Sequence, residues 1–156
     1  MFTDEEFVLA AEKHMDRIYR VAYSWLKNSH DANDVTQDVL LKLYKSDVVF
    51  ESEDHMKNWL IRVTVNQCKS VFRQPWSRAE DISDYIEQLS FEQPEYIELF
   101  EAIMMLGKKY RLPLLLHYYE GYSTAEIAAM LKIAQSTVSV RLFRAKTKLR
   151  EFLGEE

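Results

Sequence analysis

The chain has 156 residues, of which 47% are hydrophobic, and a formal net charge of −5. This apolar content is enough to build one medium-sized domain or two small ones. Because it has only three glycines and three prolines, and amphipathic helical spacing along nearly its whole length, the chain is predicted to be all-α. The single cysteine, Cys68, excludes an internal disulfide, and a buried structural thiol is the favoured interpretation of it.

The sequence lacks the patterns that mark exported proteins, membrane proteins and many enzymes. Met1 leads directly into the charged run Asp4-Glu5-Glu6, unlike a signal peptide, and no apolar run approaches the roughly 20 residues of a membrane span. The four histidines and the cysteine lack metal-ligand spacing, and neither a glycine-rich phosphate loop nor a nucleophile motif occurs. We therefore expect a cytoplasmic protein that is not an enzyme, does not insert into a membrane and has no metal or cofactor.

Charge is segregated along the chain. Residues 1–78 carry 11 basic and 12 acidic residues, residues 79–107 carry eight acidic and no basic ones, and residues 107–156 carry nine basic and five acidic ones. The acidic middle segment is a flexible tether or an anionic segment that threads a basic channel. The predicted organisation is two small helical domains joined by an acidic linker, with boundaries at 1–75, 76–95 and 96–156.

The amino-terminal part predicts helices with polar outer faces. Residues 3–28 have the pattern of a helix pair or one bent helix, and residues 31–45 have an acidic first turn that suits the helix dipole. In the second of these segments Val35, Val39, Leu40 and Leu43 are expected to face inward. Five side chains remain on or near the outer face: Asp31, Asp34, Gln37, Asp38 and Leu41. From periodicity alone, an ordinary amphipathic helix is the favoured interpretation.

Another helix is predicted over residues 55–72, in a stretch with basic residues and no acidic ones. Its core face is expected at Met56, Leu60, Val63, Thr64 and Val71. A second stripe, which includes an aromatic and an amide, suits a phosphate backbone and the stacking of unpaired bases. Its members are Trp59, Arg62, Asn66, Lys69 and Arg73, with Lys57 nearby. A core position for Trp59 stays open as the alternative.

The carboxyl-terminal part predicts a helix-turn-helix. Residues 112–119 are apolar enough to be the buried helix of this domain, with Pro113 in its first turn. Ser123 and Glu126 have the spacing of a capping box at a following helix start. After the short turn 132–134, one apolar stripe marks a second helix, which such motifs offer to the DNA major groove. That stripe comprises Val138, Leu142, Ala145, Leu149 and Phe152.

The second helix of this motif is basic. Six basic residues and no acidic one occur between Lys132 and Arg150. Thr137, Arg141, Arg144 and Lys148 step by four, three and four, which predicts a stripe that neutralises phosphates while the helix tip reads base edges. A solvated basic face on an ordinary helical hairpin is the alternative.

Four motifs, in this order, resemble the extracytoplasmic-function group of bacterial RNA polymerase sigma factors, in the short form with only the second and fourth conserved regions. DANDVTQDVLLKLY resembles the polymerase-binding helix of region two, and WLIRVTVNQCKSVFR resembles its helix for the −10 promoter element. LGKKYRLPLLLHYYEGYSTAEIAAMLKI resembles the opening of region four, and STVSVRLFRAKTKLR resembles its recognition helix for the −35 element. Together the motifs cover most of residues 15–152.

The resemblance implies an alternative sigma factor that binds core RNA polymerase, recognises promoter DNA and helps to open it. It implies a monomer when free, with an anti-sigma protein as a further partner, and an acidic linker in the RNA-exit path of the polymerase. The residues it assigns to the polymerase are Asp31, Asp34, Gln37, Asp38 and Leu41. Those assigned to the −10 element are Lys57, Trp59, Arg62, Asn66, Lys69 and Arg73. Those assigned to the −35 element are Ser136, Thr137, Ser139, Val140, Arg141, Arg144 and Lys148.

Several residues depart from the family pattern, among them Ser136 where glycine is usual. Lys132 stands where glycine is frequent, so either Lys132 takes the left-handed backbone conformation or the turn differs from that of the family. Ser139 replaces a usual lysine, Val140 is suited to a thymine methyl, and Ser70 stands where aspartate is usual. Two alternatives therefore stay open: a stand-alone helix-turn-helix regulator, and a degenerate sigma-like protein that acts only through protein contacts. The first needs dimerisation to read two half-sites, and nothing in residues 1–78 resembles a dimerisation domain.

Overall fold

A computed structural model of the protein describes residues 2–71 and 94–154, which form seven α-helices and no strand. The all-α prediction is confirmed. The chain divides into two compact units, residues 1–80 and 81–156. The predicted acidic linker lies outside the described residues, apart from its last two positions, which begin a helix of the second unit.

The first unit contains α1 (Asp4–Leu26), α2 (Ser29–Lys45) and α3 (Glu53–Ser70), and each of the three helices contacts the other two. The first segment is thus one continuous helix, because no breaker interrupts it before Lys27 takes a left-handed conformation. At the start of each helix, the side chain of Thr3, Asn28 or Ser52 accepts a hydrogen bond from the backbone N–H three residues on, at 2.9–3.1 Å. Such caps contribute about 1 kcal/mol each.

The core of the first unit lies among these three helices. Leu40, expected inside, is half-buried, and the core face of α3 is broader than predicted because α3 packs against two helices at once. Met56, Val63 and Val71 lie at its margin. The predicted burial of Cys68 is confirmed, at 2% exposure. The apolar side chains of this unit that are exposed by 1% or less are Ile18, Val21, Ala22, Tyr23, Ala32, Val35, Val39, Leu43, Leu60, Ile61 and Val65.

The second unit contains α4 (Pro94–Met104), α5 (Lys108–Tyr118), α6 (Thr124–Leu131) and α7 (Gln135–Leu153). Helix α5 contacts the other three helices, and its middle is apolar on every side. Side chains Leu112, Leu114, Leu115 and Leu116 are exposed by 1% or less. The prediction of a buried helix is confirmed for residues 112–116, whereas Tyr118, near the end of the predicted stretch, is 48% exposed.

The position predicted for Pro113 within that helix is wrong. Helix α5 begins at Lys108, four residues earlier than expected, because the Gly107 carbonyl accepts bonds from the N–H groups of Tyr110 and Arg111 at 3.0 and 3.2 Å. Pro113 therefore lies inside the helix, where it lacks the N–H that would bond to the Lys109 carbonyl.

The helix-turn-helix forms as predicted from α6, a short turn and α7. Ser123 Oγ accepts a bond from the Glu126 N–H at 3.1 Å, and Glu126 Oε1 accepts one from the Ser123 N–H at 3.0 Å, so the capping box is confirmed. Lys132 has φ 58° and ψ 45°, the left-handed conformation usually taken by glycine. Across the turn, Gln135 Nε2 donates to Thr124 Oγ1 at 2.9 Å.

We expect Leu43→Ala to lower the free energy of unfolding of the first unit by about 2–5 kcal/mol, because it leaves a cavity at a fully buried position. The matched control is Leu41→Ala, two residues earlier, where the side chain is 51% exposed. Urea denaturation followed by circular dichroism measures both. Equal losses in the two variants would contradict the core described above.

We expect Lys132→Gly to stabilise the second unit by up to about 1 kcal/mol, because glycine takes positive φ without the penalty of a Cβ atom. The matched control is Ser139→Gly, which introduces glycine at an exposed position inside α7. This variant should destabilise the second unit by about 0.5–1 kcal/mol. Thermal denaturation compares the two variants. A lower melting temperature for Lys132→Gly would show that the turn holds the lysine without strain.

Candidate nucleic-acid interface

The apolar face of α7 packs into the second unit and turns the opposite face to solvent. Val138, Leu142, Ala145 and Leu149 are buried, as their spacing predicts. The fifth member of the predicted stripe, Phe152, is 44% exposed, because it lies at the last turn of α7, beyond the helices that cover the other four. The exposure of Phe152 does not change which face of α7 is buried.

Most of the residues predicted to bind the −35 element lie together on the outer face of α7. Around one depression of about 350 Å³ are Ser136, Thr137, Val140, Arg141 and Arg144. Val140 is 47% exposed, so an apolar side chain stands among the polar ones. The remaining two predicted residues, Ser139 and Lys148, are exposed on α7 without lining this depression.

Two residues of α5 complete the lining of the depression, and the sequence analysis did not single them out. They are Lys109 and Tyr110. The Nζ atoms of Lys109 and Lys148 lie 5.1 and 4.9 Å from the centroid of the Tyr110 ring. The basic-aromatic run Lys108-Lys109-Tyr110, at the beginning of the basic segment 107–156, was a signal. Its contact with α7, however, depends on the packing of two helices separated in sequence.

The environment of Tyr110 is strongly cationic. Burial by itself raises the pKa of this phenol, but the charges of Lys109, Lys148 and Arg144 favour the phenolate, and the net effect is a pKa below the usual value. The depression beside it is therefore a place where the positive charges of two helices add. Anions are the ligands that such a surface attracts.

Phe143 is another exposed residue that the sequence analysis missed. Its side chain is 73% exposed on α7, three positions after Val140. The sequence does indicate that Phe143 is exposed, because it falls outside the apolar stripe that predicts the buried face of α7. An exposed aromatic on the outer side of α7 adds apolar contact area to a surface that is otherwise basic and hydroxylic.

The outer face of α3 carries the residues predicted to bind the −10 element. Arg62, Asn66 and Lys69 are exposed along one side of the helix, and Lys57 is half-buried. Arg73 lies outside the described residues. The predicted stripe thus forms a basic and amide surface over nearly three turns of α3.

Trp59 is neither a core residue nor a fully exposed one. Its half-buried ring meets the ring of Phe50 edge-on, with centroids 5.5 Å apart, and Phe50 also meets the ring of His55 at 5.2 Å. Phe50 belongs to the segment between α2 and α3, where the sequence shows a short apolar patch. This pairing forms an aromatic cluster at the amino-terminal end of the basic face of α3.

The outer face of α2 carries the residues predicted to bind the polymerase. Four of them, Asp34, Gln37, Asp38 and Leu41, are exposed, and Asp31 is half-buried. This face is joined to α3 through Gln67. The side-chain amide of Gln67 donates to Asp38 Oδ2 at 3.3 Å, and its Oε1 accepts from Lys42 Nζ at 2.7 Å. The acidic-apolar face of α2 is thereby linked to α3.

Neither a metal centre nor a membrane span is found in the described part of the chain. Across residues 2–71 and 94–154, no three His, Cys, Asp or Glu side chains are grouped to hold a metal ion. Over the same ranges, no helix combines the length and apolar character needed to cross a bilayer.

Two family models match the chain, in the order that the motifs predict. The model "Sigma-70 region 2" matches residues 10–78, which include α2 and α3, and the model "Sigma-70, region 4" matches residues 96–149, which include the helix-turn-helix. The two ranges together cover well over half of the chain.

Similar sequences are named as RNA polymerase sigma factors. The chain is 29% identical over 154 residues to the ECF RNA polymerase sigma factor SigE of Mycolicibacterium smegmatis, a match that covers 92% of this chain and 60% of that protein. It is 27% identical over 146 residues to the RNA polymerase sigma factor SigV of Bacillus subtilis, over 92% of this chain and 88% of SigV. The chain thus spans 60% of the length of the first relative and most of the second.

Solved structures show the same fold. The sigma factor RpoE from Bartonella quintana, in complex with the anti-sigma factor NepR, superposes with a TM-score of 0.66 and 22% identity over 96% of this chain and 98% of that one. CnrH, in complex with the cytosolic domain of CnrY, gives 0.65 at 22% identity, over 97% and 90%. Because both family models match the chain in the expected order, the chain belongs to the sigma-70 family of RNA polymerase sigma factors, in its extracytoplasmic-function group.

Proposed function

We propose that the chain is an alternative sigma factor, which binds core RNA polymerase, recognises the −10 and −35 promoter elements and helps to open the DNA. One observation carries the proposal. A single chain presents an acidic-apolar face on α2, suited to a protein partner, together with basic faces on α3 and α7, suited to DNA. A DNA-binding regulator without polymerase needs only the last of these surfaces.

Helix α7 is proposed to lie in the major groove at the −35 element. Arg141, Arg144 and Lys148 would contact phosphates or guanine edges, because guanidinium and ammonium groups pair with both. Val140, which is 47% exposed, would contact a thymine methyl group. Ser136, Thr137 and Ser139, near the amino end of the helix, would donate to phosphate or base acceptors.

The outer face of α3 is proposed to hold the strand that separates at the −10 element. Arg62 and Lys69 would neutralise its phosphates, while Asn66 would donate to a base edge. Extracting a base costs a few kcal/mol, and stacking on an aromatic ring returns about 1–3 kcal/mol per base. The Trp59–Phe50 pair supplies such a ring next to the basic face.

The outer face of α2 is proposed to bind the polymerase. An exposed leucine surrounded by carboxylates forms the centre of a small protein interface, since an apolar anchor supplies most of the energy and a polar rim supplies orientation. Leu41 is that anchor, with Asp34, Gln37 and Asp38 beside it. The bond from Gln67 to Asp38 limits the freedom of one carboxylate before the partner arrives.

The remaining partner and location assignments belong to the same proposal. The solved structure of the sigma factor RpoE contains the anti-sigma factor NepR, and that of CnrH contains the cytosolic domain of CnrY. We extend that kind of partner to this chain, as a monomer in the cytoplasm with no catalytic activity of its own. The acidic segment before α4 is proposed to follow the RNA-exit path, where its negative charge mimics RNA.

We expect run-off transcription with bacterial core polymerase and a library of promoter fragments to give discrete, chain-dependent transcripts. Arg62→Ala and Arg141→Ala should each lower transcript yield at least about fivefold, because each removes a contact to DNA that is worth about 1–3 kcal/mol. Arg150→Ala is the matched control: the same change at an exposed position of α7 outside the proposed interface.

The outcomes separate the proposal from its two alternatives. Transcripts insensitive to Arg62→Ala and Arg141→Ala would refute the assigned DNA faces. If core polymerase binds but no transcript forms, a sigma-like protein acting only through protein contacts is the better account. If core polymerase does not bind, a stand-alone helix-turn-helix regulator is.

We expect Leu41→Ala to weaken binding to core polymerase about tenfold or more, because truncating an apolar anchor at the centre of an interface costs about 2 kcal/mol. The matched control is Leu9→Ala on α1, where the leucine is 68% exposed outside the proposed interface. Fluorescence titration of labelled chain with core polymerase measures both affinities. Equal affinities for the two variants would remove α2 from the interface.

A further inference from the structure

We propose that the depression lined by the first turn of α5 and the outer face of α7 binds a DNA phosphate, and that Tyr110 positions the ammonium group of Lys109 in its lining and that of Lys148 beside it. The inference rests on the proposed function for its ligand, the backbone of promoter DNA. It extends the DNA contact from α7 to α5, a helix outside the helix-turn-helix.

The lining of the depression has the chemistry of a phosphate site. Its side chains include three cations, two hydroxyls, a phenol and no carboxylate: Lys109, Tyr110, Ser136, Thr137, Val140, Arg141 and Arg144. Its volume of about 350 Å³ is more than ten times the ~30 Å³ share of a water molecule in the liquid. A phosphate inside it is therefore within reach of charged donors from two helices.

Tyr110 connects those two helices. Its side chain is 7% exposed, so the ring has little freedom, and the two ammonium groups lie 5.1 and 4.9 Å from its centroid. They are consequently no more than about 10 Å apart. The ring attracts each cation by about 0.5–1 kcal/mol. Because the lysines and Arg144 repel one another, an anion bound in the depression beside them lowers that repulsion.

The capping of the helix starts supports this inference. Side chains cap the starts of α1, α2, α3 and α6, whereas the cap positions of α5 and α7, Gly107 and Ala134, make no side-chain cap bond. The first turn of α5 lines the depression with Lys109 and Tyr110, and the first turn of α7 lines it with Ser136 and Thr137, followed by three residues from the next two turns of α7. The dipoles of the two helices thus add to the charge of the side chains around it.

The salt dependence of DNA binding by the full chain tests this phosphate site. For a labelled duplex, the slope of log Kobs against log[salt] changes by about 0.9 for each phosphate contact that is lost. We expect Lys109→Ala to lower the magnitude of the slope by about this amount. The matched control is Lys108→Ala, which removes the same charge from an exposed neighbour that does not line the depression, and its slope should equal that of the unmodified chain.

Two variants of Tyr110 test its positioning role. Tyr110→Phe keeps the ring and should keep the slope, whereas Tyr110→Leu removes the ring and should lower the slope as Lys109→Ala does. Thermal denaturation of both variants is the control for packing: a lower slope in Tyr110→Leu reports the positioning role when its melting temperature stays close to that of Tyr110→Phe.

Three results would overturn the inference: equal slopes for Lys109→Ala and Lys108→Ala, an unchanged slope for Tyr110→Leu, or no salt-dependent duplex binding by the unmodified chain. None of them bears on run-off transcription with core polymerase, which tests the sigma-factor proposal separately.

Discussion

The burial of one face of α7 against α4, α5 and α6 decides which of its side chains reach solvent. Val138, Leu142, Ala145 and Leu149 are removed from water, and burying an aliphatic side chain contributes about 1.5–3 kcal/mol. A rotation of α7 about its axis would expose these four apolar side chains to water and bury the charge of Arg144 without a partner. Both changes would cost free energy. The basic surface is therefore oriented by the hydrophobic contact behind it.

Within the first unit, acidic and basic residues lie on different helix faces, just as acidic and basic residues lie in different segments along the chain. The outer face of α2 is acidic, the outer face of α3 is basic, and Gln67 joins them through Asp38 and Lys42. A partner protein and a nucleic acid can thus bind neighbouring faces of one small unit without competing for the same charges. The net charge of −5 conceals this arrangement, because the acidic middle segment outweighs the basic faces.

The aromatic residues show where prediction from the sequence ended. The periodicity left Trp59 open between core and surface, and the structure places it half-buried against Phe50, which comes from a segment without regular periodicity. Phe152 was expected in the core and lies past the end of it. In each case the decisive neighbour belongs to another element, so no local pattern reports it.

Local interactions determined much of this protein from the sequence alone. The Ser123–Glu126 capping box, the burial of the leucines of α5 and the outward positions of Arg62, Arg144 and Leu41 follow from helical spacing and cap chemistry, which act within a few residues. The tertiary structure alone decided that α5 begins early enough for Lys109 and Tyr110 to line one depression with α7, and that Lys148 lies near the Tyr110 ring. The contact between Tyr110 and Lys148 joins residues 38 positions apart. It depends on the angle and register at which two helices pack, and the sequence pattern of a single helix does not encode either.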